Sequence, residues 1–124
     1  VELGAIVAEY GMTELTSQYY DDVLLRGGSP PDGVRTKVAP PWLRTRVVGP
    51  DGATLAGGVV GALVHVDLAN RASCVAVSTE DLGVCVERSA GNPQRGIVLI
   101  GREAGADLRG CSLDAEALRG LTSA

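Results

Sequence analysis

The stretch VVGALVHVDL at residues 59–68 alternates apolar residues with others, and this alternation decides the expected fold class. Successive side chains of a β-strand point to opposite faces of a sheet, so the pattern predicts a half-buried strand. Just before it, Gly49-Pro50-Asp51-Gly52 is a strong turn signal. Short runs rich in β-branched residues predict four more strands. They lie at residues 43–48, 74–78, 83–88 and 96–100, with a turn at 90–94.

The two ends of the chain differ from this β-rich middle. Residues 1–9 are apolar and compact, which predicts a buried strand that arrives at a site, whereas residues 27–41 form a long loop rich in Gly and Pro. In the tail, Ser112 or Asp114 is a suitable cap for a short helix at about residues 115–121. The expected fold class is therefore α+β and β-dominated, an antiparallel β subdomain with a short C-terminal helix.

Composition argues against several functional classes. The chain has 124 residues, enough for about one small domain. Its net charge of -4 argues against nucleic-acid binding, which needs clustered Lys and Arg. No apolar run approaches the roughly 18 residues of a membrane span, and the first residues show no signal-type pattern. Three widely spaced cysteines fit neither a disulfide framework nor a zinc site, so a reducing cytoplasm is the expected location.

The first motif with chemical meaning is EYGMTE at residues 9–14, at the end of the predicted N-terminal strand. The Tyr10 ring can cover an adenine face, and Gly11 lets the backbone approach a nucleotide closely. The Thr13 hydroxyl can donate to a phosphate oxygen, and the Glu14 carboxylate can hold magnesium. The alternative is a polar strand end that runs into a turn.

Two further motifs place charged groups beside glycines. In TEDLG, at residues 79–83, an acidic residue before a glycine turn can accept both hydroxyls of a ribose. In GRE, at residues 101–103, the planar guanidinium of Arg102 suits ribose or phosphate oxygens. The alternatives are a hairpin connection for the first motif and a solvated charge pair for the second.

Taken together, the order and spacing of these motifs resemble the later core motifs of the adenylate-forming superfamily. More narrowly, the chain resembles the acyl-protein synthetase family, the fatty-acid-activating component of the bacterial bioluminescence reductase, also called luciferin-component ligase. The strings that carry the resemblance are EYGMTELTSQYYD (9–21), DLANR (67–71), TEDLG (79–83) and RGCSL (109–113). They span nearly the whole chain and imply the C-terminal portion of an adenylate-forming ligase domain.

The resemblance implies ATP and Mg²⁺ as cofactors and a role for each matching residue of the first motif. Tyr10 would lie against adenine, with Gly11 beside the nucleotide. Thr13 would touch the α-phosphate, and Glu14 would be the magnesium ligand. No Ser/Thr/Gly-rich phosphate loop precedes Tyr10 in the chain, so a fragment that is inactive by itself is expected.

The later motifs also take roles by resemblance. Asp81 would bind the ribose hydroxyls, and Arg102 would reach ribose or phosphate oxygens. Glu103 stands where much of the superfamily has Asp or Lys at a domain hinge, which is a departure from the pattern. Cys111 would receive the acyl group as a thioester, aided by the charge of Arg109 two residues away. The alternative for Cys111 is a small buried hydrophobe.

The implied reaction is ATP-dependent activation of a fatty acid as acyl-AMP, followed by transfer to a protein cysteine thiol and on to an acyl-accepting reductase partner. Alternatives are an aryl-CoA or acyl-CoA ligase of the phenylacetate type and a non-catalytic β-rich module derived from a ligase. The expected parts are a strand with the nucleotide-site motif (1–26), a Pro/Gly loop (27–42), a β subdomain (43–106) and a tail with the cysteine and helix (107–124).

Packing roles are expected for several remaining residues. His65, the single histidine, is expected on a strand surface or as a satisfied core residue rather than as a catalytic base. Cys74 and Cys85 are expected as small core hydrophobes. Trp42 is expected to pack the loop, and the Tyr19-Tyr20 pair either packs or lines the acyl pocket.

Overall fold

A computed structural model describes residues 6–25, 27–28, 33–87 and 96–105. These residues form one seven-stranded sheet and contain no helix, which confirms the β-dominated, antiparallel part of the expected fold. Every pair of neighbouring strands is antiparallel, in the order β1-β2-β3-β7-β6-β5-β4. The strands are β1 (Glu9–Tyr10), β2 (Tyr19–Asp21), β3 (Lys37–Val38), β4 (Leu43–Val48), β5 (Gly61–Asp67), β6 (Ala76–Val86) and β7 (Gly96–Arg102).

The predicted turn between β4 and β5 is confirmed. Gly52 has a φ of 77°, in the left-handed region that favours glycine, and its amide donates to the Gly49 carbonyl at 2.9 Å. The Asp51 carboxylate accepts a hydrogen bond from the Ala53 amide at 3.0 Å. β4 has the predicted bounds, and β5 occupies the interior of the alternating stretch at 59–68.

The separation of residues 74–78 and 83–88 into two strands is wrong. β6 runs unbroken through TEDLG, so this motif is neither a glycine turn nor a hairpin connection. Gly83 lies within the strand at a point that has no room for a side chain, because a Cβ atom there would lie 2.8 Å from the Val98 carbonyl oxygen of β7. The glycine that suggested a turn therefore marks a close approach of two strands.

The core lies on the concave face of a strongly curled sheet. Tyr19 in β2 packs on Thr45 in β4, and Tyr10 in β1 packs on His65 in β5, although these strand pairs are far apart in the sheet order. The curl thus brings the two ends of the sheet face to face. The buried hydrophobic cluster consists of Leu15, Tyr19, Leu43, Val47, Leu63, Cys85 and Ile97.

Four further expectations from the sequence have different outcomes. In the described part of the predicted N-terminal strand, Ile6 and Val7 are exposed and only β1 is a strand, so the buried strand is wrong there. The predicted loop at 27–41 contains β3, which pairs with both β2 and β7. The predicted helix at 115–121 and the turn at 90–94 lie outside the described residues. Within the described ranges, no helix is long and apolar enough to cross a membrane.

Candidate functional site

Two residues with a predicted nucleotide role, Tyr10 and Arg102, both contact the carboxylate of a third, Asp81. The Tyr10 hydroxyl donates to Asp81 Oδ2 at 2.8 Å, and Arg102 Nε donates to Asp81 Oδ1 at 3.0 Å. These residues come from β1, β6 and β7, and Tyr10 and Asp81 are 71 positions apart in the chain. The side chains of Asp81 and Arg102 are 19% and 34% exposed, so a ligand can reach both.

Two irregularities in the sheet aim Asp81 at this point. Residues 79–81 of β6 lie opposite the single residue Leu63 of β5, because the register moves from Ala62↔Leu82 to Val64↔Ser78. The Thr79 hydroxyl closes this bulge by donating to the Leu63 carbonyl and accepting the Asp81 amide. Bulges bend a strand and redirect its side chains, and they are common beside functional sites.

A second register shift lies on the other side of β6. Leu82 pairs with Gly101 but Gly83 pairs with Leu99, so Ile100 is an extra residue in β7. Beyond this shift, Asp81 stands directly opposite Arg102. The strand predicted at residues 96–100 is present but extends to Arg102, so Arg102 lies at the end of β7 rather than after it.

His65 lies beneath Tyr10 and is completely buried. Its Nε2 atom is 3.2 Å from the Tyr10 hydroxyl, whereas its Nδ1 atom is 2.8 Å from the Tyr19 hydroxyl and 3.1 Å from Thr45 Oγ1. Burial lowers the pKa of His65 to about 4, against the opposing effect of Asp81. His65 is therefore a neutral, hydrogen-bonded core residue, the second of the two placements that the sequence left open.

The two tyrosines above His65 also keep their protons. Burial raises the pKa of Tyr10 above its ordinary value, and the Asp81 carboxylate adds to this effect. Burial likewise raises the pKa of Tyr19 to about 12. The Tyr10 ring lies 5.5 Å from the Tyr19 ring and 5.7 Å from the His65 ring, centre to centre, so three aromatic rings form one wall. Both phenols are donors at neutral pH.

The remaining residues of the first motif lie in the turn after β1. The Thr13 hydroxyl donates to the Glu14 carboxylate at 3.1 Å, and both side chains are exposed. Gly11 precedes them, and a Cβ there would come within 3.1 Å of Gln18. Within the described ranges, no group of three or more His, Cys, Asp or Glu side chains could hold a metal ion. Glu14 is thus an isolated carboxylate that faces solvent.

A buried carboxylate ties this turn to the end of β5. Asp67 accepts hydrogen bonds from the amides of Thr16, Ser17 and Ala69 at 2.8–3.1 Å and from the Ser17 hydroxyl at 2.9 Å. Burial alone would raise the pKa of Asp67, but these donors outweigh it and lower the pKa. Asn70 completes the tie, because its side-chain amide donates to the carbonyls of Glu14 and Cys74.

The contacts of Asp67 and Asn70 form a clamp between the segment after β1 and the end of β5. The sequence did not identify this clamp as functional, because DLANR served only as one of the strings that support the resemblance. An aspartate at the end of an alternating strand, three residues before an asparagine, was the available signal. The clamp holds the segment that follows β1, and with it the first motif, against the β4–β5 hairpin. Trp42 adds to the same connection by donating from Nε1 to Ser17 Oγ at 2.9 Å, but the residue is 49% exposed, so its predicted packing role stays a prediction.

A second buried carboxylate, Asp21, holds β2 against the segment before β1. It accepts from the Ala8 amide at 2.8 Å and from Arg35 at 2.6 Å, and it lies 3.8 Å from Lys37 Nζ. Burial would raise the pKa of Asp21, but these partners lower it. Lys37, the single lysine, also donates to the Ala8 carbonyl, so it acts in a structural contact.

The Tyr19-Tyr20 pair divides between the two faces of β2. Tyr19 is buried in the core, whereas Tyr20 is exposed and lines an open groove of about 590 Å³. Pro40 and Trp42 are among the other residues along this mostly apolar groove. Only the outer of the two tyrosines is therefore placed where it can meet a ligand.

The predicted packing of the cysteines is half correct. Cys85 is buried in the core cluster, but Cys74 is exposed, because it precedes β6 rather than lying within it. Cys111, Arg109 and the RGCSL string lie outside the described residues. Glu103, which departs from the pattern of the resemblance, is exposed, and its amide donates to the Glu80 carbonyl.

Comparisons of the chain with protein-family models, with curated proteins and with solved structures found no match.

Proposed function

We propose that this chain carries part of the nucleotide site of an adenylate-forming ligase. The proposed reaction is ATP-dependent activation of a fatty acid as acyl-AMP and transfer of the acyl group to a protein cysteine thiol. The supporting observation is the meeting of Tyr10, Asp81 and Arg102, which belong to three motifs with the order and spacing of that superfamily. The resemblance rests on the order of the motifs along the chain, and their contact in space is a separate observation.

The geometry suits a nucleoside. Asp81 accepts at both carboxylate oxygens and is partly exposed, so the hydroxyls of a ribose have a charged acceptor. Arg102 stands beside it and can donate to ribose or phosphate oxygens in the same plane. The Tyr10 ring, half-buried at the edge of the aromatic wall, offers a flat surface to adenine.

The phosphates and the metal would lie at the turn after β1. Mg²⁺ usually keeps several waters and is bound by one or two carboxylates together with substrate phosphates. The single exposed carboxylate of Glu14 fits this pattern, and the Thr13 hydroxyl beside it can donate to a phosphate. Bound Mg²⁺ would neutralise charge on the phosphates during attack by the fatty-acid carboxylate.

The proposed second step uses Cys111. The thiolate attacks the acyl carbonyl carbon of acyl-AMP, a carbon–sulfur bond forms, and the bond to the phosphate oxygen breaks to release AMP. A reductase partner would then take the acyl group. A cytoplasmic location belongs to the same proposal, because a free thiol persists in a reducing compartment.

A non-catalytic β-rich module is the second candidate, and one observation favours it. Both Asp81 oxygens already have protein partners, and such a network also stabilises a fold without any ligand. The two candidates differ in whether a nucleotide competes for Asp81.

The test is ATP binding by the complete protein with Asp81→Ala. Loss of a charge-assisted contact costs about 1.5–3 kcal/mol, which weakens ATP binding about ten- to a hundredfold. Fatty-acid binding should change far less. Glu80→Ala is the matched control, because it removes the adjacent carboxylate, whose contact with Arg102 is longer at 3.6 Å. Equal ATP binding by the parent and a folded Asp81→Ala protein would favour the module.

A separate experiment tests the acyl acceptor. The complete protein is given labelled fatty acid and ATP, and the label on protein is checked for sensitivity to hydroxylamine. Cys111→Ser should abolish the thioester but leave pyrophosphate exchange, because adenylation comes first. Label that maps instead to Cys74 or Cys85 would show that Cys111 is not the acceptor.

A further inference from the structure

We propose that His65, held as its neutral Nε2–H tautomer, is a positioning residue that directs the Tyr10 hydroxyl at Asp81 and so presents the Asp81 carboxylate to a ribose. This inference rests on the proposed function for its last step, because only a nucleoside site needs a correctly aimed Asp81. Its earlier steps follow from the hydrogen bonds of five side chains and are testable without a ligand.

The first step concerns the proton of Tyr10. A phenol has one hydrogen to donate, and Tyr10 donates it to Asp81 Oδ2 at 2.8 Å. The Tyr10 hydroxyl oxygen also lies 3.2 Å from His65 Nε2, and because its hydrogen is already donated to Asp81, it is the acceptor in that contact. His65 Nε2 must therefore carry a hydrogen.

The second step concerns the other ring nitrogen. In neutral imidazole, one nitrogen donates and the other accepts. The acceptor is then Nδ1, and the structure places two hydroxyls against it, from Tyr19 at 2.8 Å and from Thr45 at 3.1 Å. The Tyr19 and Thr45 hydroxyls also share a hydrogen bond with each other, so one of them is left to donate to Nδ1, whereas Nε2 meets a phenol whose hydrogen is already used. The Nε2 contact thus specifies the tautomer, and the hydroxyls at Nδ1 accommodate it in a ring that no solvent reaches.

The third step links this tautomer to the direction of the Tyr10 hydroxyl. If His65 carried its hydrogen on Nδ1, the Nε2 lone pair would face the Tyr10 oxygen. Tyr10 would then gain by turning its hydrogen toward His65, and Asp81 Oδ2 would lose its donor. The position of one proton on the buried His65 ring therefore decides whether the Tyr10 hydroxyl donates to Asp81 or to His65.

The consequence for ligand binding is a better organised acceptor. With Tyr10 on one oxygen and Arg102 on the other, Asp81 is held in one orientation before a ribose arrives. A pre-oriented carboxylate loses less conformational freedom on binding. Loss of His65 should therefore weaken ATP binding through Tyr10 and Asp81, although His65 itself touches no ligand.

The first experiment reads the tautomer in the 124-residue chain by nitrogen-15 NMR of the imidazole. Assignment is direct, because the chain has a single histidine. The expected result at neutral pH is one neutral species with the hydrogen on Nε2. An Nδ1–H species, or an exchanging mixture of both tautomers, overturns the proposal whatever the protein does with ATP.

The second experiment compares substitutions in the complete protein. Glutamine can place an amide N–H near the position of Nε2, whereas leucine cannot donate. His65→Leu should raise the KM for ATP about tenfold, the effect of about one hydrogen bond, with little change in the KM for fatty acid. His65→Gln should restore most of the ATP affinity. If both variants weaken ATP and fatty acid equally, His65 is only a packing residue and the proposal fails.

A third variant covers the case in which His65→Leu does not fold. Tyr10→Phe removes the hydroxyl through which His65 acts and leaves the ring in place. Tyr10→Phe by itself should raise the KM for ATP about tenfold, as expected for His65→Leu, and an unchanged KM for ATP contradicts the proposal. An Nε2–H signal in a protein that binds no ATP refutes the proposed function instead, and with it the role toward ribose.

Discussion

Burial of the single histidine should make the fold sensitive to mild acid. His65 is completely buried and neutral, and its pKa is lowered to about 4 in the folded chain. In the unfolded chain it returns to about 6.5. Between these two values the unfolded state binds more protons than the folded state, so the free energy of unfolding falls as the pH falls.

The size of the effect follows from these two pKa values. Each unit of difference between the folded and unfolded pKa of His65 corresponds to about 1.4 kcal/mol. The full effect, reached when the pH is below both values, lowers the free energy of unfolding by about 3 kcal/mol. Between about pH 7 and about pH 5, the loss should be about 2 kcal/mol. Small domains have about 5–15 kcal/mol of stability, so this loss is easily measured.

The assay is urea unfolding at a series of pH values, followed by the fluorescence of the single tryptophan. Trp42 donates to Ser17 across the fold, so its environment changes when the chain unfolds. The carboxylates Asp21 and Asp67 have lowered pKa values, and their contribution is lost only at lower pH, as each protonates below its unfolded pKa. His65 therefore dominates the chosen window.

The control is His65→Gln, which removes the titrating group. Its stability should be almost constant from about pH 7 to about pH 5, even if it is lower overall. A flat profile for the parent would refute the burial argument. An equal slope in parent and His65→Gln would assign the acid sensitivity to another group.

Two further predictions concern stability. Asp67→Ala should lower the free energy of unfolding by about 3 kcal/mol or more, because it leaves several buried donors without an acceptor. Asp51→Ala in the exposed turn should cost far less. Urea unfolding of both variants checks this, and equal losses would contradict the role of Asp67 in the clamp. Gly83→Ala should cost about 1–3 kcal/mol by forcing β6 away from Val98, whereas Gly57→Ala, whose Cβ would have ordinary contact distances, should be nearly neutral in thermal unfolding.

The candidate site shows how far sequence reasoning reaches. The residues Tyr10, Asp81 and Arg102 were selected from short motifs, and the structure brings them into contact. The local structure proposed for one of them was wrong, because Asp81 lies within a long strand and not before a turn. Glycine was the misleading signal, since the same residue type serves a turn and a tight contact between strands.

The sequence by itself determined β4, β5 and the turn between them, because these depend on neighbours in the chain. Alternation of side chains places one face of β5 in the core, and glycine at position 52 permits the left-handed turn. The sequence also determined that one imidazole and one lysine are all the chain has of each.

Only the tertiary structure decided where these groups meet and in which protonation state. The curl of the sheet places Tyr10 of β1 above His65 of β5, and two bulges turn Asp81 toward both Tyr10 and Arg102. No pattern of period two contains this information, because the curl depends on contacts between residues more than fifty positions apart and the bulges depend on the pairing of separate strands. The same packing removes water from His65, and the loss of water lowers its pKa.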